Sequence, residues 1–144
     1  MVKRAAHRID PERIVRAIVD AERNTSGQIR VSIAPRPWGS LRKAAEGAFK
    51  RLGMMRTPHR NGVLIFVVPS RREFVILGDV AIHERVGQEF WERVAAAMSD
   101  RIRHGDLTDG IVHGIEAAGA ELAAHFPSDG GSNGDGALPN DVDR

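Results

Sequence analysis

From Val63 to Val68 every position is apolar, which a β-strand can be only when both of its faces are covered. The pattern therefore predicts a buried central strand in the middle of the chain. Pro69-Ser70-Arg71-Arg72 reverses direction, and Glu73 to Leu77 returns as an antiparallel partner ending at Gly78-Asp79. Upstream, Ile29, Val31 and Ile33 alternate with Gln28, Arg30 and Ser32, the period of a half-buried strand. The remaining apolar positions recur at helical spacing. Asp10-Pro11-Glu12 supplies an N-cap acceptor, a first-turn proline and an acid at the positive dipole end, so a helix starts there. Its buried face is Ile14, Ile18 and Ala21, with Val15 and Val19 beside them, and it runs to about Arg23 before Thr25-Ser26-Gly27 breaks it. Ser40 caps a second helix with Leu41, Ala45, Ala48, Phe49 and Leu52 on its apolar stripe and Gly53 as its stop. Val86, Phe90, Trp91, Val94 and Met98 mark a third, proper from Gly87 onward. Asp106 caps a fourth, with Leu107, Ile111, Ile115, Ala118 and Leu122 inside and Pro127 ending it.

Strand, helix, strand over about forty residues is a crossover unit, which makes the first two strands parallel. The expected fold is α/β: a small mixed sheet of two parallel strands and an antiparallel hairpin partner, flanked by about four helices in the order αβαββαα. Residues 1–127 form a single domain in this reading. Residues 128–144, rich in Gly, Asp, Ser and Asn, read as a flexible acidic, glycine-rich tail.

Composition removes several chemistries. The chain of 144 residues has no cysteine, which excludes thiol nucleophiles, zinc knuckles and disulfide scaffolds and suits a reducing compartment. No apolar run approaches the ~20 residues of a membrane helix, and the N-terminal Met-Val-Lys-Arg-Ala-Ala-His-Arg is no signal peptide, so a cytoplasmic location without membrane association is expected. The net charge of +2 hides an asymmetry: residues 1–72 carry 16 Lys+Arg against 5 Asp+Glu, and residues 73–144 carry 5 against 14. Such a basic half could form an anion or nucleic-acid face, or the two halves could pair their charges within one domain. With almost no exposed aromatic residues to stack on bases, nucleic acid is the less expected partner.

A set of short motifs, in order, resembles the TPM domain family. They are Thr25-Ser26-Gly27-Gln28-Ile29-Arg30-Val31, Leu52-Gly53-Met54 with Thr57, Arg60-Asn61-Gly62-Val63-Leu64-Ile65, and Gly78-Asp79 before Ile82. Gly87 with Phe90-Trp91, Gly105-Asp106, Gly110-Ile111 and His125-Phe126-Pro127 continue the series, so the resemblance covers residues 10–127 and points to the short soluble branch. It implies an α/β domain, divalent-cation binding as in several members, and weak phosphatase activity as in a plant member. Two features depart from the family pattern. Arg60 stands where other members have an acidic residue before Asn-Gly, and the acidic tail of the soluble branch is reduced to Ala137-Leu138-Pro139-Asn140-Asp141.

The predicted strand directions create two candidate sites at opposite ends of the sheet. At the start of the parallel pair, Ser26, Asn61, Asp79 and Glu84 converge, and two carboxylates with amide and hydroxyl oxygens suit a hard cation, Ca²⁺ or Mg²⁺. The same residues have a plain structural role: Asp79 caps the following turn, Asn61-Gly62 makes a tight turn and Glu84 is solvated. At the other end, Arg36, Gly39 and Ser40 follow the first strand, near Arg71 and Arg72 of the hairpin turn, and an anion could bind there against a helix N-terminus. A solvated basic turn is the preferred account of these residues, since no glycine-rich phosphate loop is present.

Arg103-His104-Gly105 matches the triplet of histidine phosphatases but joins two helices, where His and Arg with Gly are an ordinary helix-end signal. His83-Glu84 lacks the second histidine of a zinc helix. No Ser-His-Asp set follows from local sequence, so catalytic residues are unassigned and enzyme status is open. Three functions compete: a cation-binding domain with weak phosphatase activity, a non-catalytic protein-interaction module, and an anion or nucleic-acid binder.

Overall fold

The computed structural model describes residues 9–35, 39–128 and 140–143. Helix α1 (Pro11–Glu22) begins where Asp10 accepts hydrogen bonds from the N–H groups of Glu12 and Arg13. Strand β1 (Gln28–Ile33), helix α2 (Leu41–Arg51), strand β2 (Gly62–Val68), strand β3 (Glu73–Gly78), helix α3 (Val80–His104) and helix α4 (Leu107–His125) follow in the predicted order αβαββαα. Short 3-10 turns at Met54–Arg56 and Pro69–Arg71 complete the described elements.

The sheet order is β1-β2-β3, with β1 and β2 parallel from Gln28↔Gly62 to Ile33↔Val67 and β2 and β3 antiparallel from Val63↔Gly78 to Val68↔Glu73. Every residue of β2 is buried, as its uninterrupted apolar run requires. Ile29, Val31, Val63, Ile65 and Val67 face a large core closed by α1, α3 and α4, whereas Leu64, Phe66 and Val68 face a smaller one closed by α2 and Met54. The domain thus has three layers, helices on both faces of a small sheet.

Two details go beyond the sequence pattern. Helix α3 starts at Val80, ahead of the expected Gly87, because Asp79 caps it; Gly87 interrupts it with φ 76° and ψ 167°, a conformation that favours glycine. Helices α3 and α4 approach closely at Gly110 and Gly114, where a Cβ would fall 2.4 Å from Ile102 Cγ1 and 2.6 Å from Met98 Sδ.

Part of the charge asymmetry is paired within the domain. Arg13 pairs with Asp109 at 2.8 Å, Arg51 with Asp143 at 3.0 Å and Arg60 with Asp79 at 2.6 Å, each an arginine of the basic half and a carboxylate of the acidic one. Of the segment read as a flexible tail, residues 141–143 meet β1 and the core beside it, where Asp143 bridges Ser32 in parallel; residues 129–139 and 144 lie outside the described residues. No helix among the described residues is long and apolar enough to cross a membrane.

Candidate functional site

Because β1 and β2 run together and β3 runs back, the segments before β1 and β2 and the segment after β3 meet at one corner. Asn61 Nδ2 donates to Ser26 Oγ at 3.3 Å, joining the first two. The backbone joins the third: Asp79 N–H donates to Gly62 O at 2.9 Å and Ala81 N–H to Arg60 O at 3.0 Å. Ser26, Asn61 and Asp79 therefore share one corner, as their order in the sequence implies. Glu84 stands exposed on α3, and among the described residues no hydrogen bond or ion pair ties it to this cluster.

The Asp79 side chain is only 4% exposed, and its carboxylate is fully engaged. Oδ1 accepts from Val80 N–H at 2.7 Å and from Arg60 Nη2 at 2.9 Å, and Oδ2 accepts from Arg60 Nε at 2.6 Å. This is the two-point guanidinium–carboxylate geometry, the strongest form of such a pair. Arg60 reaches it from a left-handed backbone, φ 50°, stabilised by its N–H donating to Thr57 O at 3.2 Å. The hydrogen bonds and charge of Asp79 raise the Arg60 pKa above its ordinary value. Asn61 is buried, and its Oδ1 has no hydrogen-bond partner. A buried unpaired oxygen is the feature that a water or a hard cation satisfies.

For a divalent cation, then, the residues fit in part. Asn61 Oδ1 is available and Ser26 Oγ is adjacent, but the buried carboxylate of this corner, Asp79, already has a counter-ion. Among the described residues, no group of three or more His, Asp or Glu side chains could hold a metal ion.

Asp79 and Val80 also line a cleft of about 310 Å³ with Phe49, Met55, Leu77 and His83. Met55 and Val80, 43% and 51% exposed, give it an apolar mouth. Trp91 Nε1 donates to His83 Nδ1 at 3.1 Å, which makes Nδ1 the acceptor and leaves the proton of a neutral ring on Nε2.

One carboxylate was not singled out by the sequence. Glu22, at the end of α1, accepts from Ile29 N–H at 2.7 Å, and burial pushes its carboxyl up to about 7 against the opposing pull of that hydrogen bond. A glutamate in the last turn of an amphipathic helix gives no local signal of this, since its burial depends on how α1 meets β1.

At the opposite end of the sheet, Arg36 lies outside the described residues. Gly39 adopts φ 76°, and Ser40 Oγ is spent capping α2, accepting from Lys43 N–H at 3.3 Å. Arg71 pairs with Glu73 at 3.0 Å, and Arg72 donates to the Ile102 carbonyl near the end of α3. His104 Nδ1 lies 3.0 Å from the Asp100 carbonyl oxygen, in keeping with a helix-end role.

The family model of the TPM domain matches residues 2–121. The chain belongs to the TPM domain family. Among solved structures, this TPM domain is similar to the NMR structure of the BA42 protein from the psychrophilic bacterium Bizionia argentinensis, with 37% identity, a TM-score of 0.83 and 94% of each chain covered. It shares its fold with the N-terminal domain of a P. gingivalis protein at 17% identity and a TM-score of 0.63, covering 80% of this chain and 72% of that one. The N-terminal domain of the cg2496 protein from Corynebacterium glutamicum is alike in fold at 16% identity and a TM-score of 0.60, covering 89% and 76%. No curated protein matches the chain.

Proposed function

We propose that the Ser26–Asn61–Asp79 corner of this TPM domain is a weak divalent-cation site, for Ca²⁺ or Mg²⁺, in which Arg60 competes with the cation for Asp79. The observation that carries this reading is a buried carboxylate neutralised by a half-exposed guanidinium, side-chain exposures 4% and 43%, next to the unpaired Asn61 Oδ1. A cation entering here gains Asp79, Asn61 and Ser26 oxygens when Arg60 swings into solvent, with Glu84 the nearest additional acid in sequence. Its apparent affinity is lowered by the fraction of molecules in which Arg60 holds Asp79. Phosphate-ester hydrolysis enters the proposal only as turnover that depends on added cation, since the bound ion would have to activate the water.

The test is a CaCl₂ and MgCl₂ titration followed by amide NMR. Shifts confined to the segments around Ser26, Asn61 and Asp79, abolished in Asp79→Asn with Glu84→Gln, support the site. Asparagine still caps a helix, so the fold tolerates the change. Shifts that survive both substitutions, or that arise around Gly39, Ser40, Arg71 and Arg72 on adding phosphate, overturn it in favour of the anion reading. The interaction-module reading is favoured by a different observation, a sheet edge that already accepts an extended segment.

A further inference from the structure

The outer edge of β1, away from β2, carries residues of the same chain. Ile33 N–H donates to Asp143 O at 2.7 Å and Asp143 N–H donates to Val31 O at 2.9 Å, so Asp143 extends the sheet through a parallel bridge with Ser32. Neighbouring side chains alternate across the sheet as in a strand. Asp143 Oδ2 accepts from Ser32 Oγ at 2.8 Å and from Arg51 Nη2 at 3.0 Å, on the α2 side. Asp141, two residues earlier, lies 3.9 Å from Arg30 Nη2. Val142, between them, packs against the large core on the opposite face. Three consecutive positions thus read acid, aliphatic, acid, and each meets a complementary group.

The receiving edge is built rather than incidental. Ser32 is 1% exposed and the Arg30 side chain 11%, and Arg30 Nε is buried without a hydrogen-bond partner. Two arginines therefore frame an edge whose Val31 carbonyl and Ile33 N–H are bonded to this segment. Burial opposes ionisation of Asp143, but the hydrogen bonds from Arg51 and Ser32 outweigh it and hold the carboxyl below its ordinary range.

We infer that the β1 edge is a strand-docking site for extended acid–aliphatic–acid segments, that residues 141–143 are its resident occupant, and that a partner protein presenting the same pattern adds in parallel by displacing them. Strand addition of this kind draws affinity from main-chain bonds and specificity from alternate side chains. The resident is held by two backbone bonds and one carboxylate cluster, so a longer partner strand has more to gain. That partner must still overcome an effective concentration of roughly millimolar order for a tethered competitor. Exchange with a second copy of the chain would only reproduce the same contacts at this edge, which favours the intramolecular occupant. The inference is independent of cation binding at the corner.

The experiment uses the full chain, with the acetylated peptide Asn-Asp-Val-Asp as the probe. Wild-type Ile33 N–H should be protected from hydrogen exchange, and Val142→Ser with Asp143→Asn should lower that protection by about tenfold or more. Added peptide should restore protection and shift the Val31 to Ile33 resonances in this variant. Wild type should respond only at higher peptide concentration, and Asn-Asn-Ser-Asn should leave both unmoved. Arg51→Gln, an exposed change that leaves the core untouched, should weaken the peptide response in the same variant. Unchanged Ile33 protection, equal response to both peptides, or indifference to Arg51→Gln would overturn the assignment. So would a wild-type dimer that the double substitution dissociates, since the occupant would then be a second copy.

Discussion

Arg60 and Asp79 form a two-point ion pair, with bonds of 2.6 Å and 2.9 Å, in which the acid is buried and the base stands half in solvent. The acid is fixed by its role as the cap of α3, whereas the base can leave. Removing the base should therefore free a ready-made oxygen ligand. Arg60→Gln is expected to tighten Ca²⁺ or Mg²⁺ binding by roughly tenfold, because the competition that lowers apparent affinity is gone. Isothermal titration at fixed ionic strength checks this; unchanged or weaker binding would show that Asp79 is not a ligand.

Without added cation, turnover of p-nitrophenyl phosphate should be negligible. The chain has no cysteine, and His104, the histidine of the phosphatase-like triplet, is occupied at a helix end by Asp100. Assays in EDTA of wild type and His104→Ala should both read background. Robust activity that copurifies with the protein in EDTA, and survives His104→Ala, would reveal a nucleophile elsewhere.

How much of this was legible before folding depends on the distance over which each feature is determined. The β2 core strand is written in six adjacent residues, and the caps Asp10, Ser40 and Asp106 in the residues that follow them, so periodicity and end signals recover them. The convergence of Ser26, Asn61 and Asp79 follows from strand directions alone. The grip of Arg60 on Asp79 does not, because it needs the left-handed backbone at Arg60, φ 50°, to aim the guanidinium across the corner. The docking of Asp143 on β1 is less legible still. Three residues are too few to show a period, and glycine and aspartate nearby mask them as tail.

Stability should fall as pH rises through the Glu22 transition. Burial raises this carboxyl from an ordinary value of 4.5 to about 7, so between those values the folded state holds a proton that the unfolded chain has released. The stabilisation is complete below the ordinary value and lost above the raised one, a swing on the order of 2 kcal/mol for a half-buried group at about 1.4 kcal/mol per pKa unit. Asp109, held below its ordinary range by the Arg13 hydrogen bond, works in the opposite direction at more acid pH. Urea midpoints between pH 4.5 and 7.5 should slope downward in wild type and flatten in Glu22→Gln. An unchanged slope in the variant would assign the effect to another group.

Gly78 and Trp91 should prove energetically coupled. A Cβ at Gly78 would lie 2.4 Å from Trp91 Cζ2 and 3.1 Å from Ile82 Cγ2, closer than side chains pack. The indole has little freedom to move aside: it is 5% exposed, it meets the Phe90 ring edge-on at 5.0 Å, and its Nε1 is bonded to His83. Gly78→Ala should therefore cost about 1–3 kcal/mol, the usual range for overpacking a filled core. Trp91→Phe removes the ring atoms that clash and should be destabilising alone through the cavity it leaves, about 1–3 kcal/mol. Together the two changes should cost less than the sum of their separate effects, because the added methyl then occupies vacated space; a coupling of roughly 1 kcal/mol is expected for residues in contact. Chemical denaturation of the four proteins measures it directly. Strict additivity would mean that the end of β3 shifts to accept the methyl, and the backbone leading into Asp79 would then be softer than the hydrogen bond from Asp79 N–H to the Gly62 carbonyl implies.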